Sequence, residues 1–230
     1  MKNIPNISFQ GSSENEKYFE CLKLSTLFPR IFTALEHKPN LPHKITFFAL
    51  IIITKGKGSH QIDLKNYNLE AGTVLKIAKG QVHAFEKKPK YDGYLIIFTE
   101  DFILNYFSKS SINLISNFYN YHLSSPVFKN KKGNNIFLNS LKNEFKSENT
   151  FAQNNIIAAL LDLYLLELER NSRSDQTPNN SKHYNTFIKF KNLVETNYTK
   201  TRNVKDYADI LLISTKSLNQ IVKAFTLNTA

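Results

Sequence analysis

Between Leu41 and Thr99 the chain runs as short apolar segments broken at close intervals by glycine: ITFFALIIIT, GKGSHQIDL, YNLEAGTVLKIAKGQVHAFE and YDGYLIIFT. Runs of this length parted by glycine turns predict an antiparallel sandwich or small barrel. Gly56-Lys57-Gly58 falls between two runs and reads as a hairpin-like turn, while Gly72 and Gly80 bracket a strand over Thr73–Ile77. No long helices alternate with these strands, which argues against a parallel α/β sheet.

The texture changes after Glu100. Phe102–Tyr119 and Ile136–Phe145 carry apolar residues at helical spacing, and the clearest helix spans about Phe151–Arg170, opened by a capping box of Thr150 and Gln153. Ile156, Ile157, Leu160, Leu161, Tyr164 and Leu168 form one apolar face. That face either packs on its own domain or meets a second copy; for a homodimer the candidate contacts are Ile157, Leu160, Leu161, Tyr164 and Leu168. Asp162, Glu167 and Glu169 read as its solvated edge. Residues 171–183, NSRSDQTPNNSKH, are polar, contain Pro178 and show no period, so they read as a linker. The predicted organisation is a β-rich domain over 1–110, a helical connector and dimerisation region over 111–170, the linker, and a second helical domain over 184–230.

A length of 230 residues suits two small domains, and 41% hydrophobic with 13% aromatic residues is enough for packed cores. Cys21 stands alone, so there is no internal disulfide, and no Cys/His spacing resembles a zinc site. Met1–Gln10 lacks the features of a secretory signal, and the longest apolar run, Ile45–Ile53, is too short to span a bilayer. The expectation is a cytoplasmic protein without membrane partners. The formal charge is +11, which favours polyanions, and residues 182–230 hold eight basic against three acidic residues.

Within that basic end, Val204, Tyr207, Ala208 and Leu211 recur at helical spacing; a break falls at Ile213-Ser214; then Leu218, Ile221, Val222 and Phe225 resume the period. Two short helices with a tight turn follow, with Ser214 as N-cap of the second and Ala208 as the small residue that lets them cross closely. Lys216, Asn219, Gln220 and Lys223 point away from the apolar face; Asn and Gln can pair with adenine, and Lys can reach guanine or phosphate. A helical hairpin with a solvated basic face would show the same pattern. The stretch resembles the first helix-turn-helix of AraC-type transcription regulators, carried by Val204, Tyr207-Ala208, Leu211, Ser214, Leu218 and Val222-Lys223. The resemblance implies DNA as a partner, with Lys216, Asn219 and Gln220 at base-reading positions and Ser214, Thr215 and Lys223 completing the contact set. Regulators of this type carry a second such unit about 50 residues further on, whereas this chain stops at Ala230; it reads as truncated, or as reaching DNA with half the usual apparatus.

The β-rich block resembles the cupin barrel that the same regulators place at their N-terminus. Metal-dependent cupins present a His-x-His pair, a Glu and a later His, because a divalent metal needs several converging ligands. Aligned on Gly56 and His83, that pattern meets His43, Ile45 and Ala49, so two of four ligands are missing and no metal or other cofactor is expected. The residues His43, Ile45, Phe47, Ala49, His83 and Phe85 are the candidate contacts for a small, largely apolar effector with one or two polar anchors; the opposite face, with Phe48, Leu50 and Ile52, could equally be the lining. No nucleophile–base pair, phosphate-cradling loop or paired carboxylates point to catalysis. The expected class is α+β, a cupin-like antiparallel β-barrel followed by helices and a C-terminal helix-turn-helix, and the expected function is effector-controlled, sequence-specific transcription regulation. The alternatives are a metal-dependent cupin enzyme, and a sensory or dimerisation module without DNA binding of its own.

Overall fold

The apolar segment after Phe47 does not turn at its glycines. In the computed structural model, which describes residues 4–9, 18–33, 38–114, 125–146, 150–173, 181–197 and 199–226, it is one fifteen-residue strand, β4 (Phe48–Ile62). Around it lie β1 (Asn6–Ile7), β2 (Phe19–Lys23), α1 (Leu24–Thr33), β3 (His43–Ile45), β5 (Lys65–Glu70), β6 (Thr73–Ile77), β7 (Val82–Phe85) and β8 (Tyr91–Phe98). The first half of β4 pairs with β6 and β8, and the second half with β5 and β7, so a single strand belongs to both walls and the sheet curls into a half-barrel. All pairings are antiparallel except the short β1–β3 pair.

The expected turn at Gly56-Lys57-Gly58 is therefore corrected. Gly56 has φ +81°, but the consequence is a bulge: register shifts between Ile53 and Lys55 opposite Gly93 and Asp92. Gly93 is required there, since an added Cβ would lie 1.9 Å from the Ile52 carbonyl oxygen. The hairpin turn comes later, at Asp63 and Leu64, both with positive φ (47° and 65°) as a two-residue turn demands. Asp63 earns that position through its carboxylate, which accepts from Gln81 Nε2 (2.7 Å) and the Val82 N–H (3.3 Å). The strand bracketed by Gly72 and Gly80 forms as read.

Helices α2 (Glu100–Tyr106), α3 (Lys109–Leu114), α4 (Lys131–Glu144) and α5 (Gln153–Arg173) follow, with β9 (Val127–Lys129) added beside β6. The helix read over Phe102–Tyr119 breaks at Phe107, and residues 115–119 lie outside the described residues. The capping box at Thr150 gives way to a different start. Ala152 takes φ +58°, and the Gln153 side-chain amide donates to the Glu144 carbonyl at 3.0 Å.

Both faces of the sheet are buried. Ala49, Ile51, Ile53, Ile62, Leu75, Ile77, Phe85, Tyr91, Leu95 and Ile97 fill the inside of the curl. Phe48, Leu50, Ile52, Val74, Ile96 and Phe98 pack outward against Phe102, Phe137, Leu141, Ile157, Leu161, Leu165 and Leu168 of the helices. That double burial is why the start of β4 reads as an unbroken apolar run instead of an alternating one. Barrel and following helices thus share one compact unit, Met1–Ser172, and Arg173–Ala230 forms a second. In the second unit α6 (Ser181–Asn197), α7 (Val204–Ile210) and α8 (Thr215–Thr226) close over Phe187, Tyr207, Ala208, Leu218, Ile221 and Val222.

Candidate functional site

The bulge in β4 decides which residues line the curl. Before it, odd-numbered residues face inward; the extra residue reverses the alternation, and His60 and Ile62 then share the inner face with Ile51 and Ile53. His43, Ile45, Phe47, Ala49, His83 and Phe85 are all buried, and Ile45, Phe47, Ala49 and Phe85 belong to that inner cluster. Phe48, Leu50 and Ile52 are not lining residues, since they pack beneath the helices. His60 is the inner residue that sequence reasoning missed. Counting alternation straight through Gly56 and Gly58 puts it outside, and the glycine pair, read as a bulge, is the signal that would have found it.

Three histidines meet at one end of this face. His43 and His83 are cross-strand partners with ring centroids 4.3 Å apart, and His60 Nε2 lies 3.1 Å from His83 Nδ1. The His43 Nδ1–H donates to the Leu41 carbonyl at 2.9 Å, which fixes its tautomer. Burial, aided by the neighbouring rings, pushes His60 down to about 3 and holds His83 well below the ordinary histidine range, so both are neutral. Among the described residues no three His, Cys, Asp or Glu side chains are grouped to hold a metal ion; here His60 and His83 are bonded to each other. A hollow of about 120 Å³ adjoins the cluster, lined by Asn40, Ser59, His60, Gln61, Asn66, Ala84, Phe85 and Glu86. Of the six predicted contacts, only Phe85 lines it.

The outer face carries a buried charge pair. Lys76 on β6 lies 3.7 Å from Glu169 on α5, with its ammonium over the Phe128 ring, and burial lowers its pKa to about 8. The expected solvated edge of α5 is corrected accordingly: Glu169 is buried, and Asp162 accepts from the Ser111 hydroxyl at 2.6 Å. The dimerisation face is corrected too. Ile157, Leu161, Tyr164 and Leu168 are buried in the chain's own core and Leu160 packs against it, so this face is spent within the unit. Tyr164 stacks on Phe137 at 4.2 Å and donates to Asn134 Oδ1 (2.6 Å), whose amide in turn reaches the Gly72 carbonyl just before β6. Burial also pushes the Cys21 thiol up to about 12.

In the second unit α7 and α8 meet at a tight turn. The N–H groups of Leu212 and Ile213 bond the carbonyls of Asp209 and Ala208 (3.1 and 3.0 Å), a Schellman closure with Leu212 at φ +55°, the position where glycine is the common choice. Ser214 caps α8, its hydroxyl accepting from the Ser217 N–H at 3.1 Å. Buried Ala208 lets the helices approach, and Tyr207 is fixed by a 2.8 Å bond to the Thr201 carbonyl and an edge contact with Phe190. Of the predicted contact set, Ser214, Lys216, Gln220 and Lys223 are exposed, and Thr215 and Asn219 are half-buried.

The family model of the AraC-like ligand binding domain matches residues 36–187. No curated protein matches the sequence. Solved structures similar to this chain include ToxT from Vibrio cholerae, at 12% identity over 90% of this chain and 76% of that one, with TM-score 0.45. ToxT of strain SCE256 bound to an unsaturated fatty acid is similar at 12% identity over 94% and 95%, TM-score 0.39. The AraC-like transcriptional activator CuxR is similar at 8% identity over 90% and 67%, TM-score 0.36. With a family match that runs from the strands of the curled sheet into the helices beyond it and spans more than half the sequence, the chain belongs to the AraC-like ligand binding domain family and is an AraC-type regulator with a sensor domain.

Proposed function

We propose that this regulator binds a small effector within the curl of its sheet and reads DNA bases with α8, the effector altering how well it does so. The observation that carries the DNA half is the α7–α8 pair. A Schellman turn and a serine cap present Lys216, Gln220 and Lys223 on one exposed face of α8, while Leu218, Ile221 and Val222 hold the opposite face in the core. The sensor half rests on the family match and on the buried, partly polar inner face. Within the first unit β6 touches both sides of the sheet: Leu75 and Ile77 face the curl, while Val74 and Lys76 face the helices, with Lys76 paired to Glu169 of α5. Linkage then requires that DNA tighten effector binding by the same factor as effector tightens DNA.

Fluorescence anisotropy against the chain's own upstream DNA and a scrambled duplex tests this reading. The wild type is expected to prefer the upstream duplex by at least about tenfold, and Lys216→Ala/Asn219→Ala/Gln220→Ala to lose the preference while keeping salt-sensitive binding. Equal affinity of the wild type for both duplexes would reject base reading by α8.

A further inference from the structure

The polar end of the inner face is unfinished. His60 and His83 are both nearly inaccessible to solvent, and they bond to one another through His60 Nε2 and His83 Nδ1, leaving His60 Nδ1 and His83 Nε2 buried without a hydrogen-bond partner. The Tyr91 hydroxyl, on the same inner face, is a third buried atom without one. Orphaned polar atoms of this kind cost stability, which is tolerable where something arrives to satisfy them.

The pair's bonding capacity follows from counting. Each neutral imidazole has one N–H and one lone pair. The bond between the rings uses one of each, whichever ring donates, so the two outer nitrogens always present one N–H and one lone pair. The surroundings are apolar on one side: the Phe85 ring stands edge-on to His60 at 4.9 Å, and Phe28 packs on Phe85 and Tyr91 at 5.7 Å each. We infer that the His60–His83 pair is the polar anchor of the effector site, and that it takes an uncharged group which both donates and accepts a hydrogen bond, such as a hydroxyl or primary amide, carried on a small apolar or aromatic body. This rests on the reading of the curl as the effector site.

A carboxylate fits poorly. It only accepts, so one of its oxygens would face a lone pair unless a ring took up a proton, and a buried ring held against two other histidine rings resists that. An ammonium fits poorly for the converse reason, since the pair offers a single lone pair.

The test uses the full chain, labelled with nitrogen-15, at about pH 7.5 and titrated in turn with phenol, benzoate and toluene while ring-nitrogen shifts are followed. Phenol is expected to bind saturably, to move the His60 Nδ1 and His83 Nε2 resonances, and to bind about tenfold or more tighter than either analogue. His60→Phe is expected to bind phenol no better than toluene. His60→Gln, which keeps a donor and an acceptor, is expected to retain part of the preference and guards against a variant that merely misfolds. Benzoate binding as tightly as phenol, or phenol binding that leaves the two resonances unmoved, would overturn the inference while the effector reading stands. Absence of saturable binding by all three probes would likewise overturn the inference.

Discussion

At the residue scale, the histidines show how far local pattern carries. His43 and His83 stand out in the sequence because they fall at cupin-like positions, and the structure buries both and pairs them across β3 and β7. His60 could not be placed without the bulge, because one inserted residue turns a strand over. The neutral state of the cluster has a measurable consequence. A histidine whose folded pKa lies below its unfolded value of about 6.5 leaves stability intact above that pH; below it, the unfolded chain takes up a proton that the folded chain refuses. Stability is therefore expected to fall from about pH 6.5 downward by about 1.4 kcal/mol per unit for each such ring. Urea denaturation of wild type and His60→Phe at about pH 7.5 and 4.5 checks this: the wild type should lose about 2–3 kcal/mol more than the variant over that interval. Equal losses would mean that His60 titrates normally.

At the scale of elements, α5 shows where pattern stops. Its apolar stripe was legible, but not what it meets, since a face that packs on its own sheet and one that packs on a partner look alike in sequence. Glu169 lies among apolar neighbours on a helix and reads as solvated; only its partner Lys76, 93 positions earlier on another element, explains its burial. Breaking one side of such a pair strands a charge. Glu169→Ala is expected to cost about 3–5 kcal/mol, while Lys76→Met/Glu169→Leu should lie within about 1 kcal/mol of wild type or above it. Urea midpoints at constant slope decide between this and a half-solvated pair, for which Glu169→Ala would cost less than about 1 kcal/mol. The α7–α8 turn is the opposite case. Ser214, Ala208 and the helical spacing were all visible because caps and turns are written within a few residues of themselves; Leu212, an exposed side chain at positive φ, was the one part of the turn that the pattern did not announce.

At the scale of the whole molecule, the chain divides into two compact units, with the helices after the strands belonging to the first. Its positive charge is denser in the second, where α8 lies. If Lys223 meets a phosphate, Lys223→Ala should weaken binding to specific and scrambled duplexes alike and lower the slope of log affinity against log salt by about 1. An unchanged slope in a salt titration would remove Lys223 from the contact set. By itself the sequence determined the strand-rich and helix-rich halves, the two short helices α7 and α8 with their tight turn, and most of the glycine turns, because those depend on periodicity and on caps within a turn or two of the chain. Only the tertiary structure decided which face of the sheet is inside, that His60 joins His43 and His83, and that α5 closes on its own barrel. Those outcomes depend on register and on partners far apart in sequence, where a single inserted residue reverses every side chain that follows.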